Sequence, residues 1–395
     1  MGKVGILTMF YKTRNYGGCL QAYALTKYLT DRGVNAEQIN YKHSKTKGNY
    51  KRLLFLSPSI IYEKVTRRIS QAIMSLSASN KADLHSILEI RGKAFDDFCK
   101  KYVPSSHKVY DTTTINECVD SYDTIIVGSD QVWNEVTESS PYLLKFVIEG
   151  KKRISYAASI AQDRLSSYSK KVFKDALSSF DAISVREQEA QMLLQPLTDK
   201  KIHWVVDPTL LLTQHEWEEI VSDINIKEKY LFCYFLSYDE RLRTVAKDYA
   251  KRRNVKIVTL PYLQKRANKA DENFGDYILS DVSPADYLAL VKNSDAVMTD
   301  SFHTTVFSYI FKRKFYVFSR KEGRTNSRIY SFLNLAGATD CFCDTDSKYS
   351  LSYIESLNDI DYAKQSTFLD TIKKESVDFI EENIIKSEDK LENTY

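Results

Sequence analysis

Four polar motifs hold the side chains that could do chemistry in this chain of 395 residues. They occupy residues 15–18, 128–134, 186–187 and 300–305, and each follows a segment that reads as a buried strand. In open parallel α/β sheets, ligands bind beyond the carboxyl ends of the strands. These motifs are therefore the places where we expect a binding or catalytic site.

His303 is the candidate best suited to acid–base chemistry. It follows Thr299, Asp300 and Ser301 at a predicted strand end, within the first turn of a predicted helix. An imidazole there could donate to a phosphate or shuttle a proton near neutral pH, and the start of a helix favours anions. A histidine with only a structural role is the alternative.

A basic loop runs from Arg320 to Arg324 and follows a predicted strand at residues 315–318. It is expected on the same edge of the sheet as His303. Guanidinium groups in a glycine-containing loop suit a small polyanion, whereas a solvated run of charge is the alternative.

The other motifs also have structural alternatives. Asp130 could act as an acid or base, or it could cap a helix. The pair Arg186-Glu187 could bind a ligand or form a surface ion pair. The motif Asn15-Tyr16-Gly17-Gly18 could present backbone N–H groups to an anion, or it could only make a tight turn.

Strands that alternate with helical patterns must position these motifs. Short apolar runs, such as residues 4–7, 122–127 and 182–185, precede helical spacing, and the alternation resumes from residue 230. This predicts parallel sheets with helices on both faces. Because one hydrophobic core seldom holds a chain of this length, we predict an α/β protein of two Rossmann-like domains.

We place the N-terminal domain at residues 1–195 and the C-terminal domain at residues 196–358. The polar helical tail, residues 359–395, could cross back to the first domain. A basic helical insertion is predicted at residues 42–110, where Lys42 to Lys108 hold fourteen Lys and Arg against five Asp and Glu.

Within the insertion, residues 55–76 read as a basic amphipathic helix. Its apolar stripe contains Ile61, Val65 and Ile69, with Arg67 and Arg68 beside it. Such a helix either packs its apolar face on the core or binds an anionic membrane surface.

Composition excludes several classes of protein. A hydrophobic fraction of 43% and a charged fraction of 27% exclude a mainly disordered or collagen-like chain. A net charge of +4 is too small to predict a nucleic-acid partner. No apolar run reaches the roughly 18 residues of a transmembrane helix, and we expect no signal peptide. The six cysteines form no Cys-x-x-Cys pair, so we expect reduced thiols, no metal site and a cytoplasmic protein.

Six motifs, taken in order over about residues 3–337, resemble those of the polysaccharide pyruvyl transferase family. Each motif alone is weak, but six in sequence are specific. They are N-Y-G-G-C-L-Q-A-Y-A-L, I-I-V-G-S-D-Q-V-W-N, R-I-S-Y-A-A-S-I, D-A-I-S-V-R-E, V-V-D-P-T-L-L-L and T-D-S-F-H-T-T-V-F-S-Y-I-F.

The resemblance implies the architecture of GT-B glycosyltransferases, in which two Rossmann-like domains face a central cleft that holds the active site. It implies transfer of pyruvate from phosphoenolpyruvate to hydroxyls of a sugar in a cell-surface polysaccharide precursor, usually as a cyclic ketal. Phosphoenolpyruvate would be a co-substrate, and no cofactor is expected. The acceptor could be lipid-linked, with the enzyme at the inner face of the cytoplasmic membrane.

The resemblance also assigns the donor ligands. His303 and Arg186 carry over as residues that hold phosphoenolpyruvate. Many members of the family have a basic residue two positions before this histidine and a glycine after it, whereas here these are Ser301 and Thr304. Phosphoenolpyruvate then needs its charge from elsewhere, and we expect Arg320 or Arg324 of the basic loop to supply it. The assigned donor ligands are Arg186, Ser301, His303, Thr304, Arg320 and Arg324.

His303 and Asp130 are the assigned catalytic groups, because His303 could act on the methylene or phosphate and Asp130 on the acceptor hydroxyl. We expect the N-terminal domain to bind the acceptor. The assigned contacts are Asn15, Tyr16, Gly17, Gly18, Ser129, Gln131 and Trp133.

Two other functions fit the same pattern. A GT-B-type nucleotide-sugar glycosyltransferase would share the predicted fold, and fold alone does not fix function. A catalytically inactive glycan-binding relative is also consistent, because Ser301 lacks the usual positive charge.

Overall fold

The computed structural model describes residues 2–42, 81–134, 136–262, 269–271, 273–320, 326–344, 346–362 and 367–386. These residues form two compact units, each built on one six-stranded sheet. The first unit contains residues 2–42, Cys99–Leu212 and 367–386, and the second contains residues 81–98 and those from Thr213 to 362. The prediction of two parallel-sheet α/β domains is confirmed.

The first sheet consists of parallel strands whose residues are mostly buried. Its strands are β1 (Lys3–Leu7), β2 (Asn35–Gln38), β3 (Thr124–Val127), β4 (Lys152–Ala158), β5 (Ala182–Val185) and β6 (Ile202–Trp204). Their order across the sheet is β2-β1-β3-β4-β5-β6. The sequence of β3, Thr-Ile-Ile-Val, is buried throughout, as expected of a parallel strand covered on both faces.

Four complete helices and the end of a fifth belong to the described part of the first unit. They are α1 (Tyr16–Thr30), the last residues of α2 (Lys81–Tyr102), α3 (Ser167–Leu177), α4 (Gln188–Leu194) and α11 (Thr367–Ile380). The hydroxyl of Ser376 in α11 accepts from the Val206 backbone N–H at 2.9 Å, and the ring of Phe379 lies 5.1 Å from that of His203. The C-terminal segment therefore packs beside β6 of the first sheet.

The second sheet is also parallel. Its strands are β7 (Tyr230–Tyr234), β8 (Lys256–Thr259), β9 (Tyr277–Ile278), β10 (Ala296–Thr299), β11 (Lys314–Phe318) and β12 (Phe342–Cys343). Their order is β12-β11-β10-β7-β8-β9. The helices of this unit include α5 (Gln214–Glu218), α6 (Glu240–Arg253), α7 (Pro284–Lys292), α8 (Phe302–Ile310), α9 (Asn326–Leu335) and α10 (Leu351–Ser356).

Each sheet order contains one point where the chain reverses its direction of travel across the sheet. In the first sheet β2 and β3 lie on opposite sides of β1, and in the second β8 and β10 lie on opposite sides of β7. The loops that leave adjacent strands at such a point part from each other and open a crevice for ligands. The motifs at residues 15–18 and 128–134 follow β1 and β3, and the motif at residues 300–305 follows β10.

The division of the chain between the units differs in detail from the predicted boundary. We predicted that the second domain begins at residue 196, whereas the first unit extends to Leu212 and includes β6. Residues 99–110 of the predicted insertion belong to the first unit, and residues 81–98 belong to the second. The amphipathic segment at residues 55–76 lies outside the described residues. No helix in the described ranges is long and apolar enough to cross a membrane.

Gly128 provides a test of the packing at the end of β3. A Cβ atom at this position would overlap Thr8 Cγ2 and approach Ile6 Cγ2 to 3.3 Å. Thr8 is buried and its hydroxyl is bonded to Gln38 Oε1 at 3.1 Å, so it cannot easily move aside. We expect Gly128→Ala to lower the free energy of unfolding by about 1–3 kcal/mol.

The measurement is urea unfolding of both variants and the wild type. Gly18→Ala is the matched control, because its Cβ would meet its nearest neighbour, Thr13 Oγ1, at an ordinary 3.4 Å. Equal unfolding midpoints for the two variants would contradict the packing described for Gly128.

Candidate functional site

The start of α1 forms one side of the candidate site in the first unit. Asn15 is the N-cap of α1, and its Oδ1 accepts from the Gly18 backbone N–H at 3.3 Å. Tyr16, Gly17 and Gly18 are buried. The Cβ position of Gly18 is 3.6 Å from Asp130 Oδ2, so the loop after β3 lies against the first turn of α1. The first and second predicted motifs therefore meet.

Asp130 has an unusual backbone conformation. Its φ is 69°, in the left-handed region that most side chains avoid but that Asp and Asn tolerate. Its carbonyl accepts from the N–H groups of Val132 at 2.8 Å and Ser159 at 3.0 Å, and its side chain is largely buried. Tertiary contacts therefore hold this carboxylate beside the N-terminus of α1, where negative charge is favoured.

Gln131 and Trp133, which were also predicted from the β3 loop, have different surroundings. Gln131 Oε1 accepts from Asn134 Nδ2 at 2.9 Å and is partly buried. Trp133 is fully buried, its Nε1 donates to the Tyr142 carbonyl at 2.9 Å, and its ring packs edge-on to Phe173. These contacts favour a packing role for Trp133 over contact with an acceptor.

Arg186 is the centre of a buried charge network at the ends of β3, β5 and β6. Its Nη1 is 2.6 Å from Asp207 Oδ2, and its Nε is 3.1 Å from Glu187 Oε1. Asp207 Oδ2 also accepts from Ser129 Oγ at 3.0 Å, and Glu187 Oε1 accepts from Ser159 Oγ at 2.6 Å. Arg186 and Glu187 thus form a buried pair within a larger network, and the alternative of a surface ion pair is wrong.

Burial alone would lower the pKa of Arg186, but Glu187 and Asp207 beside it outweigh burial and raise that pKa. The guanidinium is therefore permanently charged, and it is paired with two carboxylates. We predicted Arg186 as a donor ligand from its resemblance to the family, and this remains a prediction. The network shows that Arg186 also fixes the positions of two acids.

In the second unit, the start of α8 places His303. Ser301 is the N-cap, and its hydroxyl accepts from the Thr304 N–H at 3.5 Å. His303 is largely buried, with its ring edge-on to Phe302 at 5.0 Å. Thr304 points into the core, where its hydroxyl accepts from Tyr287 at 2.9 Å. A ligand at this helix N-terminus would therefore meet Ser301 and His303 rather than the Thr304 side chain.

Asp300 joins the ends of the two strands at the reversal point of the second sheet. Its fully buried carboxylate accepts from the backbone N–H groups of Leu236 at 2.6 Å and Ser237 at 2.9 Å, in the loop after β7. Arg320 Nε and Nη2 donate to the Asp300 carbonyl at 2.9 and 2.7 Å. Arg320, which follows β11, is partly exposed and its Nε also lies 3.7 Å from Asp300 Oδ2, so it brings a cation to the start of α8.

One predicted site residue is not described by the structure, and two residues of the site were not predicted. Arg324 lies outside the described residues. Sequence reasoning did not assign roles to Asp207 and Asp300, although both follow strand ends, which was the signal that could have identified them. In the described ranges no group of three or more His, Cys, Asp or Glu is arranged to hold a metal ion.

Comparison with known proteins decides the family. The family model for polysaccharide pyruvyl transferase matches residues 15–322, which is most of the chain. The chain belongs to the polysaccharide pyruvyl transferase family. The match includes the motifs that hold Asn15, Asp130, Arg186 and His303. No curated protein matches the sequence significantly.

Solved structures similar to this pyruvyl transferase family member have the GT-B fold. The S. aureus MnaA–UDP co-structure is 10% identical, covers 96% of each chain and has a TM-score of 0.52. The UDP-GlcNAc 2-epimerase from Methanocaldococcus jannaschii is 11% identical, covers 94% of this chain and 98% of its own, and has a TM-score of 0.49. Arabidopsis thaliana UGT89C1 complexed with quercetin is 11% identical, covers 96% and 94%, and has a TM-score of 0.42. At these identities the likeness shows the fold alone.

The charge network of Arg186 yields a stability prediction. Removing one partner of a buried ion pair leaves uncompensated charge and costs about 3–5 kcal/mol, whereas an exposed pair contributes about 0.2–1 kcal/mol. We therefore expect Arg186→Met to lower the free energy of unfolding by several times more than Arg241→Met. Arg241 is the control because it also forms an ion pair, with Asp239 at 2.6 Å, but on the surface. The Arg241 side chain is 37% exposed, whereas that of Arg186 is 3% exposed.

Chemical denaturation of the two variants measures both costs. Similar losses for Arg186→Met and Arg241→Met would show that the buried network does not stabilise the first unit.

Proposed function

We propose that this protein transfers pyruvate from phosphoenolpyruvate to hydroxyls of a sugar in a cell-surface polysaccharide precursor and releases phosphate. The observation that carries the proposal is the family motif around His303, an imidazole at the buried start of α8, where Arg320 donates to the carbonyl of Asp300. The acceptor would be a free glycan, a lipid-linked repeat unit or a nucleotide sugar. No cofactor is proposed.

The donor requires positive charge and hydrogen-bond donors. Phosphoenolpyruvate carries a carboxylate and a phosphate, and the N-terminus of α8 supplies the positive end of a helix dipole. Ser301, at the usual basic position, contributes only a hydroxyl. The Arg320 guanidinium donates to the Asp300 carbonyl and lies 3.7 Å from the Asp300 carboxylate, and its side chain is partly exposed at the start of α8. Arg320 is therefore our proposed replacement cation, and Arg324 is a second candidate.

The reaction assigns a role to each group. The sugar oxygen attacks the carbon that bears the phosphate, the methylene carbon accepts a proton, and the bond to the phosphate oxygen breaks. A second hydroxyl of the sugar can then close a cyclic ketal. His303 is suited to donate the proton or to stabilise the leaving phosphate, and one positioned acid or base contributes about 10²–10⁴-fold in rate.

Asp130 is the proposed base for the acceptor hydroxyl. Its backbone is held by two hydrogen bonds to its carbonyl, and its carboxylate lies beside Gly18. A fixed base needs little reorganisation when the hydroxyl loses its proton. Ser129 is the weaker acceptor ligand, because its hydroxyl already donates to Asp207.

A nucleotide-sugar glycosyltransferase is the second candidate function. It is favoured by the similarity in fold to the MnaA–UDP co-structure, although that similarity does not extend to function. A catalytically inactive glycan-binding relative is the third, and Ser301 at the usual basic position favours it.

Ligand-dependent melting temperatures separate these functions. A ligand present at 100 times its Kd stabilises the folded state by about 2.7 kcal/mol. We expect phosphoenolpyruvate to raise the melting temperature whether or not UDP-GlcNAc does, and we expect phosphate release in the presence of pooled surface glycans. Stabilisation by UDP-GlcNAc alone would favour the glycosyltransferase. Stabilisation by phosphoenolpyruvate without phosphate release would favour the inactive relative.

His303→Ala tests the assigned catalytic group in the same assay. We expect phosphate release to fall by at least about 10²-fold because both proton donation and phosphate stabilisation are lost. His215→Ala is the control, since His215 is an exposed histidine of the same unit. Near-normal turnover of correctly folded His303→Ala would refute the assignment.

A cytoplasmic location with contact to the inner membrane face is also part of the proposal. It depends on residues 55–76, which the structure does not describe. Basic residues near an anionic membrane surface contribute about 1 kcal/mol each to binding. We expect the wild type to sediment with anionic vesicles at low salt but not at high salt, and a variant with Arg67→Glu and Arg68→Glu to sediment less. Equal partitioning of the two proteins would instead indicate that the segment packs on the protein.

A further inference from the structure

Two cysteines meet where α1 packs against the end of α2. Cys19 lies in the first two turns of α1 and Cys99 lies one turn before the end of α2, and their Sγ atoms are 3.2 Å apart. Both are thiols in the structure. A disulfide bond is about 2.0 Å long, so the two sulfur atoms need to approach each other by only about 1 Å to form one.

The packing around the pair keeps the two helices in register. Tyr23 follows Cys19 by one helical turn, Tyr102 follows Cys99 by one helical turn, and their rings meet edge-on at 6.3 Å. The cysteine pair and the tyrosine pair thus lie along the same contact between α1 and α2. The approach of the two sulfur atoms is therefore a property of the helix packing rather than of a single side chain.

The two thiols differ in accessibility. Cys99 is partly exposed, whereas Cys19 is completely buried. A reagent in solution can reach Cys99, and Cys19 is then the nearest thiol to the modified sulfur. An accessible cysteine backed by a second cysteine is the arrangement of attacking and resolving thiols in redox-responsive proteins.

The four other cysteines are poor competitors. All four are buried, and burial raises the pKa of Cys118, Cys341 and Cys343 to about 12 and that of Cys233 further still. Because the thiolate is the nucleophile in disulfide exchange, these side chains compete poorly with the accessible Cys99 for the first attack on a reagent at neutral pH.

We propose that Cys19 and Cys99 form a reversible disulfide when the protein meets a low-molecular-weight disulfide. The Cys99 thiolate attacks one sulfur of the reagent, whose S–S bond breaks and releases one thiolate. The Cys19 thiolate then attacks Cys99 Sγ and expels the second thiolate. The protein loses two thiol protons and two electrons, and the reagent is reduced to two thiols. The product links α1 covalently to α2.

The disulfide would join α2, a helix of the predicted insertion, to α1. The first turn of α1 forms one side of the candidate acceptor site. Cys19 follows Gly18 directly, and Gly18 lies against Asp130. This inference does not rest on the proposed function, because the bond can be detected whatever reaction the protein catalyses.

The full-length protein is tested in a series of reduced and oxidised glutathione mixtures. Samples are quenched with acid and alkylated with N-ethylmaleimide under denaturing conditions, and their intact mass is measured. Since the chain holds six cysteines, we expect six maleimide groups in the reduced mixtures and four in the oxidised ones. A peptide map should link Cys19 to Cys99, and dithiothreitol should restore six.

Two variants complete the test. Cys99→Ser should keep five maleimide groups in every mixture, whereas Cys118→Ser, the matched control, should fall from five to three. A wild type that keeps all six groups throughout, a link between other cysteines, or loss of two thiols in Cys99→Ser would each overturn the proposal.

Discussion

The loops at the C-terminal ends of the strands of the first sheet depend on the contacts of one buried carboxylate, that of Asp207. It accepts from Arg186 after β5, from Ser129 after β3, and from the backbone N–H of Thr209, two residues further along its own loop. Taking an ion out of water costs several kcal/mol, so a buried carboxylate persists only where such partners surround it. The three loops consequently fix one another's positions. Asp130, which directly follows Ser129, is therefore attached to a rigid loop.

The second unit meets the same physical requirement with different partners. The Asp300 carboxylate accepts from two backbone N–H groups and lies 3.7 Å from Arg320 Nε, and the Asp300 carbonyl accepts from the same guanidinium. Because Asp300 directly precedes the N-cap of α8, these bonds determine where that helix starts. The position of His303 therefore follows from contacts between the loops after β7, β10 and β11.

The sequence predicted the two parallel sheets because strands buried on both faces leave continuous apolar runs separated by helical spacing. It also placed Asp130, Arg186 and His303 at strand ends, since the topology of such sheets brings strand ends to one edge. It could not identify Asp207 and Ser129 as partners of Arg186, because these residues follow other strands. The burial of Trp133 was equally hidden, since a tryptophan after a strand can face either a ligand or the core. The contact between Cys19 and Cys99 depends on helix packing, which no local pattern encodes.

The place of α11 has a consequence for how the chain acquires its structure during synthesis. The first sheet is complete once β6 has left the ribosome, yet the helix that contacts His203, Trp204 and Tyr156 through Phe368 and Phe379 is made only after the whole second sheet. Until then, that aromatic surface lacks its cover. The nascent chain thus exposes these aromatic side chains for the time needed to translate about 160 further residues, roughly 10–30 s at typical rates of elongation. Chaperone capture during this interval would protect the nascent first unit from aggregation.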